Sequence, residues 1–444
     1  MIKMFHSFGV NIGRSRHLGV IKYRLRSLQS NLPITRSYFH IFAAHKGPMQ
    51  FSDIHSRLQE SATLAMARRS RELKASGVDV VNLSLGEPDF DVPDFIKEAA
   101  TQAIKDNWSK YPPVNGFLDL REAISKKFER DNSLNYSSDQ IVVSTGAKQS
   151  IFNIVISLIN AGDEVILPAP YWVTYYEQLR LVDASIKVID PGSENNSKIT
   201  PEQLLSVINK NSKLFIFSSP CNPTGAVYSR SELEALADVF KQFPNCIVVS
   251  DEIYEHINFT NDVCSIGSVE GMQDQTITVN GLSKAFAMTG WRIGYIGAPL
   301  EIAKACSKIQ GQCTSGTNAI AQRAALAALQ ADPSVTAPMR EEFKARRELV
   351  VSKLQQINGF ALDRPDGAFY VMPDVSALYG KSFKGHTINS SKDLSELLLD
   401  HAHVAVVSGE GFGAKDRIRI SYASSQELLN KALTRIADLV VKLQ

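Results

Sequence analysis

Two neighbouring stretches decide the reading: IVVSDEIY at residues 247–254 and TITVNGLSKAFAMTGWRIGYI at residues 276–296. In each, a short apolar run rich in β-branched residues stops at a polar cluster. The first ends in Asp251-Glu252-Ile253-Tyr254 and the second in Asn280-Gly281-Leu282-Ser283-Lys284. Such runs are too short for helices and read as strands. Without strict alternation of apolar and polar residues, they read as strands buried on both faces. Working outward, the same form recurs at residues 141–144, 164–167, 184–189, 214–218 and 292–296, so seven strands are expected with 247–250 and 276–279. Helices fall between many of them. Two helix starts are well signed, by Thr200 with Pro201 and Gln203 and by the Ser229/Glu232 capping box. The pattern predicts an α/β fold, with a large, mostly parallel seven-stranded sheet covered on both faces over residues 95–330.

Before the sheet, residues 54–76 read as one amphipathic helix through Leu58, Ala62, Ala65, Arg69 and Leu73, stopped by Gly77. A strand at 79–85 runs into a turn at Gly86-Glu87-Pro88-Asp89. Helices are expected at 93–107 and 118–131, with a rigid loop Tyr111-Pro112-Pro113-Val114-Asn115-Gly116 between them. After Ala331-Asp332-Pro333, a polar helix over 334–356 leads into a smaller α+β domain, residues 331–444, to which residues 53–94 contribute. Its strands are expected at 367–371 and 417–422 and its helices at 394–401 and 426–443.

Composition narrows the function classes. Hydrophobic residues make up 44% and charged residues 21% of 444, ordinary values for a globular chain. No apolar run approaches the length of a membrane span, so no membrane association is expected. The five cysteines are scattered, with no CxxC pair, which argues against a zinc ribbon or a disulfide framework. The formal net charge of +2 is unevenly placed. Residues 1–52 hold eight Lys/Arg and no Asp or Glu, leaving residues 53–444 acidic. An acid-free leader rich in Arg and Ser has the composition of an organelle-targeting peptide, for plastid or mitochondrion. Without it, the chain is expected in the cytoplasm. The acidic body carries no basic stripe, so no nucleic-acid partner is expected. Gly409-Glu410-Gly411-Phe412-Gly413 mimics a dinucleotide loop but has no room for the unit that should follow it. His401 and His403 lack a third metal ligand, so no metal is expected.

Ligands of parallel sheets gather at the carboxyl ends of the strands. Those ends carry Gly146 and Ala147 at a helix start suited to a phosphate, then Asn222, Asp251, Tyr254, Ser283, Lys284 and Arg292. These types fit pyridoxal 5'-phosphate. A lysine amine condenses with its aldehyde, and an aspartate keeps its ring nitrogen protonated so that the ring accepts electrons from the substrate's α-carbon. Tyr and Asn can bond the ring oxygen, while Arg and the helix start hold the phosphate.

The strings Asn222-Pro223-Thr224-Gly225, Ser250-Asp251-Glu252-Ile253-Tyr254-Glu255, the run Ser283 to Tyr295, and Arg417-Ile418-Arg419-Ile420-Ser421-Tyr422-Ala423 stand in the order and spacing of the fold type I aminotransferases. Over residues 53–444 the chain resembles the prokaryotic-type aspartate aminotransferases, a group whose plant plastid members also transaminate prephenate. The resemblance implies Lys284 as the covalent and proton-shuttling lysine, Asp251 as partner of the ring nitrogen, and Asn222 and Tyr254 as partners of the ring oxygen. It implies Arg292, Gly146, Ala147 and Ser283 at the phosphate, Trp172 stacked on the ring, and Tyr111 reaching the phosphate of a neighbouring subunit. Arg419 becomes the clamp for the substrate α-carboxylate, since a planar fork suits a bidentate partner. Gly86 and Phe369 would line the same pocket, with Gly86 bare because a side chain would obstruct the carboxylate. Lys148 would meet the distal carboxylate across a homodimer interface with shared sites.

The expected reaction is exchange of the amino group between aspartate and 2-oxoglutarate, with small dicarboxylate amino and keto acids as partners. One departure matters. Pro112 follows Tyr111 where the plant prephenate-active enzymes tend to have Thr, and it removes a hydroxyl and a donor. This favours an aspartate enzyme over the alternatives, which are a bifunctional aspartate/glutamate-prephenate enzyme or an aromatic aminotransferase. A catalytically dead homologue is opposed by the complete set of Lys284, Asp251, Tyr254, Asn222, Arg292 and Arg419.

Overall fold

Val248 and Val249 are adjacent in sequence yet belong to different cores, which is why the run 247–249 is apolar throughout. Val249 packs with Val165, Leu214 and Ile216, while Val248 packs with Phe215, Leu236 and Phe240 on the other face. The computed structural model describes residues 49–192, 195–260 and 263–444. The strands of these residues are β1 (Val81–Asn82), β2 (Ile141–Ser144), β3 (Glu164–Pro168), β4 (Ser185–Ile189), β5 (Ser212–Ser218), β6 (Ile247–Asp251), β7 (Thr276–Gly281), β8 (Gly294–Gly297), β9 (Tyr370–Val371), β10 (Ser382–Phe383), β11 (His386–Thr387), β12 (Val404–Ala405), β13 (Val407–Ser408) and β14 (Ile418–Ser421).

β2 to β8 form one sheet in the order β2-β8-β7-β6-β5-β3-β4. Neighbours from β7 to β4 are parallel, and β8 runs antiparallel between β2 and β7. One face is covered by helices 147–158, 173–181 and 300–313, through residues such as Ile151, Tyr175 and Cys306. The other is covered by helices 118–132, 319–330 and 230–240, through Phe128, Ala324 and Phe240. The carboxyl ends of β5, β6 and β7 therefore open side by side. Both expected helix starts are capping boxes: Thr200 accepts from Gln203 N and Ser229 from Glu232 N.

A second core gathers around the antiparallel sheet β13-β14-β9. Helices Ala337–Leu354 and Gln426–Val440 supply Phe343, Val350, Leu433 and Ile436 to it, against Phe369, Val371, Ile418 and Ile420. β1 pairs in parallel with β12, which joins residues 81–82 to the chain's last third. Residues 52–444 form a single compact unit.

Several expected boundaries move. The helix over 54–76 is two helices, Asp53–Arg57 and Ala62–Ala75, because Leu58 turns extended and Gln59 N bonds the Glu177 carboxylate instead of a helical carbonyl. The strand over 79–85 shrinks to β1, since Ser84 N turns aside to bond the Asn82 side chain. The strand over 292–296 begins only at Gly294, because Arg292 is left-handed at φ 60°. The strand over 367–371 shortens to β9, with Ala368 left-handed at φ 56° before it. The helix over 394–401 is Ser391–Leu397 followed by a wide turn, Leu398–Ala402. The basic leader, residues 1–52, lies outside the described residues except for 49–52.

Candidate active site

β6 ends in Asp251, whose side chain is 2% exposed. A buried carboxylate needs donors. Tyr175 Oη donates to Asp251 Oδ2 at 2.6 Å and Ile253 N to Oδ1 at 3.2 Å. Burial nonetheless pushes the Asp251 carboxyl up to about 6, against the pull of Tyr175, Ile253 and Lys284. Three residues on, Tyr254 is buried under Phe369, with ring centroids 5.4 Å apart and an edge-to-face tilt.

Lys284 follows β7 and points its Nζ at the same space. It donates to Gly86 O at 2.5 Å and lies 5.8 Å from the ring centroids of both Tyr254 and Phe369. Burial lowers its amine to about 8. Glu87 and Asp251 pull it up, and Arg292 and Arg419 push it down further. An amine at that value is substantially neutral near pH 8, the form that can condense with an aldehyde or take a proton.

Arg419 comes from β14 and is 2% exposed. Its Nη1 donates to Asn222 Oδ1 at 2.9 Å and its Nη2 to Ser84 O at 2.7 Å, and the guanidinium sits between the rings of Tyr370 (4.6 Å) and Phe412 (4.8 Å). Its Nε has no partner, and no carboxylate pairs with it among the described residues. A buried guanidinium without an anion is costly. The pocket is built for one.

On the other flank, Gly146 caps helix 147–158 at φ +83°, and a Cβ there would strike the Arg292 guanidinium. A Cβ on Gly294 would strike Ala147 N. Among the described residues, Arg292 donates only to the carbonyls of Thr289 (2.8 Å) and Thr145 (3.4 Å). A helix N-terminus and an arginine thus face one spot, a cradle for a phosphate. Lys148 Nζ lies 5.0 Å over the Trp172 ring, and burial, then Arg292, hold its amine below the usual lysine range although its side chain reaches the surface.

The fold thus gathers Asp251, Tyr254 and Lys284 at one strand edge, ties Asn222 to Arg419, and brings Gly146 and Ala147 to Arg292. Ser283 is buried next to Lys284 with no further tie to the cluster. Tyr111 is 95% exposed and stands apart from it; its expected role concerns a second copy of the chain. A Cβ on Gly86 would run into Tyr370 Oη, so the position has no room for a side chain. Three contributors escaped the sequence reading. Tyr175 holds Asp251, Tyr370 bonds Tyr254, and Ser84 supplies a carbonyl to Arg419. Tyr175 stands three residues after Trp172 and meets it edge-to-face at 5.4 Å; that helical spacing was a usable signal.

The end of a doubly covered sheet thus carries an aspartate, a lysine and Arg292, with Arg419 brought against them from β14, and among the described residues neither arginine pairs with a carboxylate. Residues 78–436 match the family model described as aminotransferase class I and II, and the chain belongs to that family. An aspartate/prephenate aminotransferase from Cereibacter sphaeroides is 46% identical over 388 residues, covering 87% of this chain and 97% of the relative. A bifunctional aspartate aminotransferase and glutamate/aspartate-prephenate aminotransferase from Petunia hybrida is 44% identical, covering 87% of this chain and 82% of the relative. Among solved structures, the aspartate aminotransferase from Rhizobium meliloti superposes with a TM-score of 0.86 at 38% identity, covering 89% of this chain and all of that one. The Thermus thermophilus aspartate aminotransferase with maleate gives 0.83 at 39% identity, covering 88% of this chain and all of that one. Among the described residues no helix is long and apolar enough to cross a membrane.

Proposed function

We propose that this protein is a pyridoxal-phosphate-dependent aspartate aminotransferase acting on small dicarboxylic amino and keto acids. The observation that carries the proposal is the buried Arg419, with no carboxylate of the described residues beside it, close to the buried Lys284 amine. Pyridoxal phosphate, when bound, supplies the aldehyde that carries the amino group and a ring that accepts the electron pair left on the substrate's α-carbon. Arg292, with the N–H groups at Gly146 and Ala147, would hold its phosphate. Trp172 would lie against its ring, and Ser283 would assist at the phosphate. Asp251, kept in place by Tyr175, would face the ring nitrogen, and Asn222 and Tyr254 the ring oxygen.

The chain's own residues then divide the work. Arg419 grips the α-carboxylate in two-point fashion, and Phe369 walls the pocket. This grip would fix how the bonds of the α-carbon are oriented toward the Lys284 amine. The Lys284 amine, lowered to about 8, is the base that would take the α-proton and hold it for return. Lys148 selects a substrate with a second carboxylate, since an apolar substrate would leave that cation unpaired. Tyr111 and Lys148 both reach the surface, which supports a homodimer with shared sites. Residues 53–94 and 331–444 would act as a smaller lobe against the sheet lobe 95–330. The acid-free residues 1–52 support an organelle-targeting leader, which a fluorescent fusion of that segment would locate.

A second reading, amino transfer to prephenate, is favoured by the names of the bacterial and plant relatives. It is opposed by Pro112, which is wedged with Pro113 against Gly316. The purified protein, loaded with cofactor and mixed with single donors, separates the two readings. Conversion of the aldehyde form by aspartate and glutamate alone supports the first. Comparable conversion by arogenate, the amino product of prephenate, supports the second. Conversion by neither refutes both.

A further inference from the structure

Behind Tyr254 lies a second phenol. Tyr370 Oη is 2.8 Å from Tyr254 Oη, both groups are buried, and the two rings stand edge-to-face at 5.8 Å. Among the described hydrogen bonds, each hydroxyl has only the other as partner. One proton of the pair is therefore left over. If Tyr254 donates, the spare proton belongs to Tyr370, whose hydroxyl lies against Gly86 and whose ring lies against the Arg419 guanidinium, and which makes no second hydrogen bond among the described residues. If Tyr370 donates, the spare proton belongs to Tyr254, on the side that Lys284 faces.

We infer that Tyr370 is a positioning residue that donates to Tyr254 and so aims the Tyr254 proton at the ligand's ring oxygen, while its ring holds the Arg419 guanidinium flat. The inference rests on the cofactor reading above. Three further observations bear on it. Tyr370 is fixed in β9, paired with Ser421 two residues beyond Arg419, so one strand register sets both contacts. Gly86 leaves the hydroxyl its room, since any Cβ there would occupy it. Burial raises both phenols above the ordinary tyrosine value, Tyr370 against the pull of Arg419, so each keeps a proton to donate. The charged and titratable groups around the pair are Arg419 from β14, Tyr422 just after that strand, Asp251 from β6 and Lys284 after β7; Glu87 and Arg292 act on Lys284. Arg346, on the helix that packs Phe343 against Phe369, is paired with Asp89 and Glu342 and contributes no free charge.

A donor that is itself the acceptor of another hydrogen bond is a stronger donor. Tyr370→Phe keeps the ring and removes that support. The ring oxygen is then less well stabilised as an anion, and the nitrogen linking Lys284 to the cofactor holds its proton to higher pH. The expected result is a rise of about half a pH unit in the midpoint of the visible spectral change of the loaded protein. kcat should fall several-fold, with KM for aspartate unchanged because the ring still covers Arg419. Tyr370→Leu should raise KM as well. A wild-type protein whose spectrum does not change with pH would refute the cofactor reading and the inference with it. A wild-type transition that Tyr370→Phe leaves at the same pH would overturn the inference alone. Thermal melting gives a readout independent of the cofactor. Gly86→Ala should destabilise the wild type and be tolerated in the Tyr370→Phe background; equal losses in both would contradict the placement of the hydroxyl.

Discussion

Asp251 and Glu252 are neighbours at the end of one strand, both buried and both pushed up by burial, to about 6 and about 7. Their surroundings differ. Asp251 faces Tyr175, Lys284 and the open strand edge. Glu252 points to the other side of the sheet. There Ser250 (2.8 Å), Ser265 (2.6 Å) and Asn132 (2.9 Å) donate to it, and Asn132 also bonds Glu255, which Lys127 and His256 approach. The first carboxylate has room for a ligand donor. The second belongs to a network closed on itself. A raised carboxylate therefore does not mark a site by itself; convergence of unpaired groups on shared space does.

The comparison can be broken by mutation, and the largest effect is expected on the open side. Lys284→Ala should abolish amino transfer, a loss of about a thousandfold or more, because no other amine reaches the α-carbon. Turnover at the normal rate would remove Lys284 from the mechanism. Asp251→Asn should cost about a hundredfold or more in kcat while the melting temperature changes little. If Glu252→Gln cost as much in kcat, the division between the two carboxylates would be wrong.

Arg419→Lys keeps the charge and loses the planar fork. It should lower kcat/KM about ten- to a hundredfold for every amino donor alike, and an unchanged value would count against the clamp. Lys148→Ala should be milder and selective, lowering kcat/KM about tenfold for aspartate and glutamate and less for phenylalanine. Equal losses for all three would remove its part in specificity.

The smallest effect on activity is expected on the closed side, where the readout is stability. The folded-state value of Glu252 lies above its ordinary 4.5. Its contribution is therefore complete below about pH 4.5 and is lost as the pH rises through about 7. Glu252→Gln should flatten the fall in stability between pH 5 and pH 8 by on the order of 1–3 kcal/mol, measured by denaturant unfolding at both pH values. Parallel curves for the two proteins would show that the network, rather than this proton, absorbs the change.

Legibility followed physical range. The strands β2 to β8 were readable because burial on both faces leaves its mark on every residue, as at Val248 and Val249. The polar residues at their ends were readable because a residue that follows a buried strand must emerge at its edge. The helix break at Leu58 was not readable, because its cause is Glu177, 118 residues away in sequence. Arg292 also misled. Its run looked like strand, yet its backbone is left-handed so that the side chain can turn to Gly146.

By itself, then, the sequence determined the layered α/β architecture, the strand-end cluster of Asn222, Asp251, Tyr254 and Lys284, and the family to which they point. These follow from patterns repeated over a few residues. Only the tertiary structure decided that Tyr175 steadies Asp251, that Tyr370 stands behind Tyr254 and against Gly86, and that Arg419 lies buried with no carboxylate of the described residues beside it. Those are contacts between residues far apart in the chain. Each depends on the register of one short strand or the turn of one backbone angle, and neither leaves a periodic trace in the sequence.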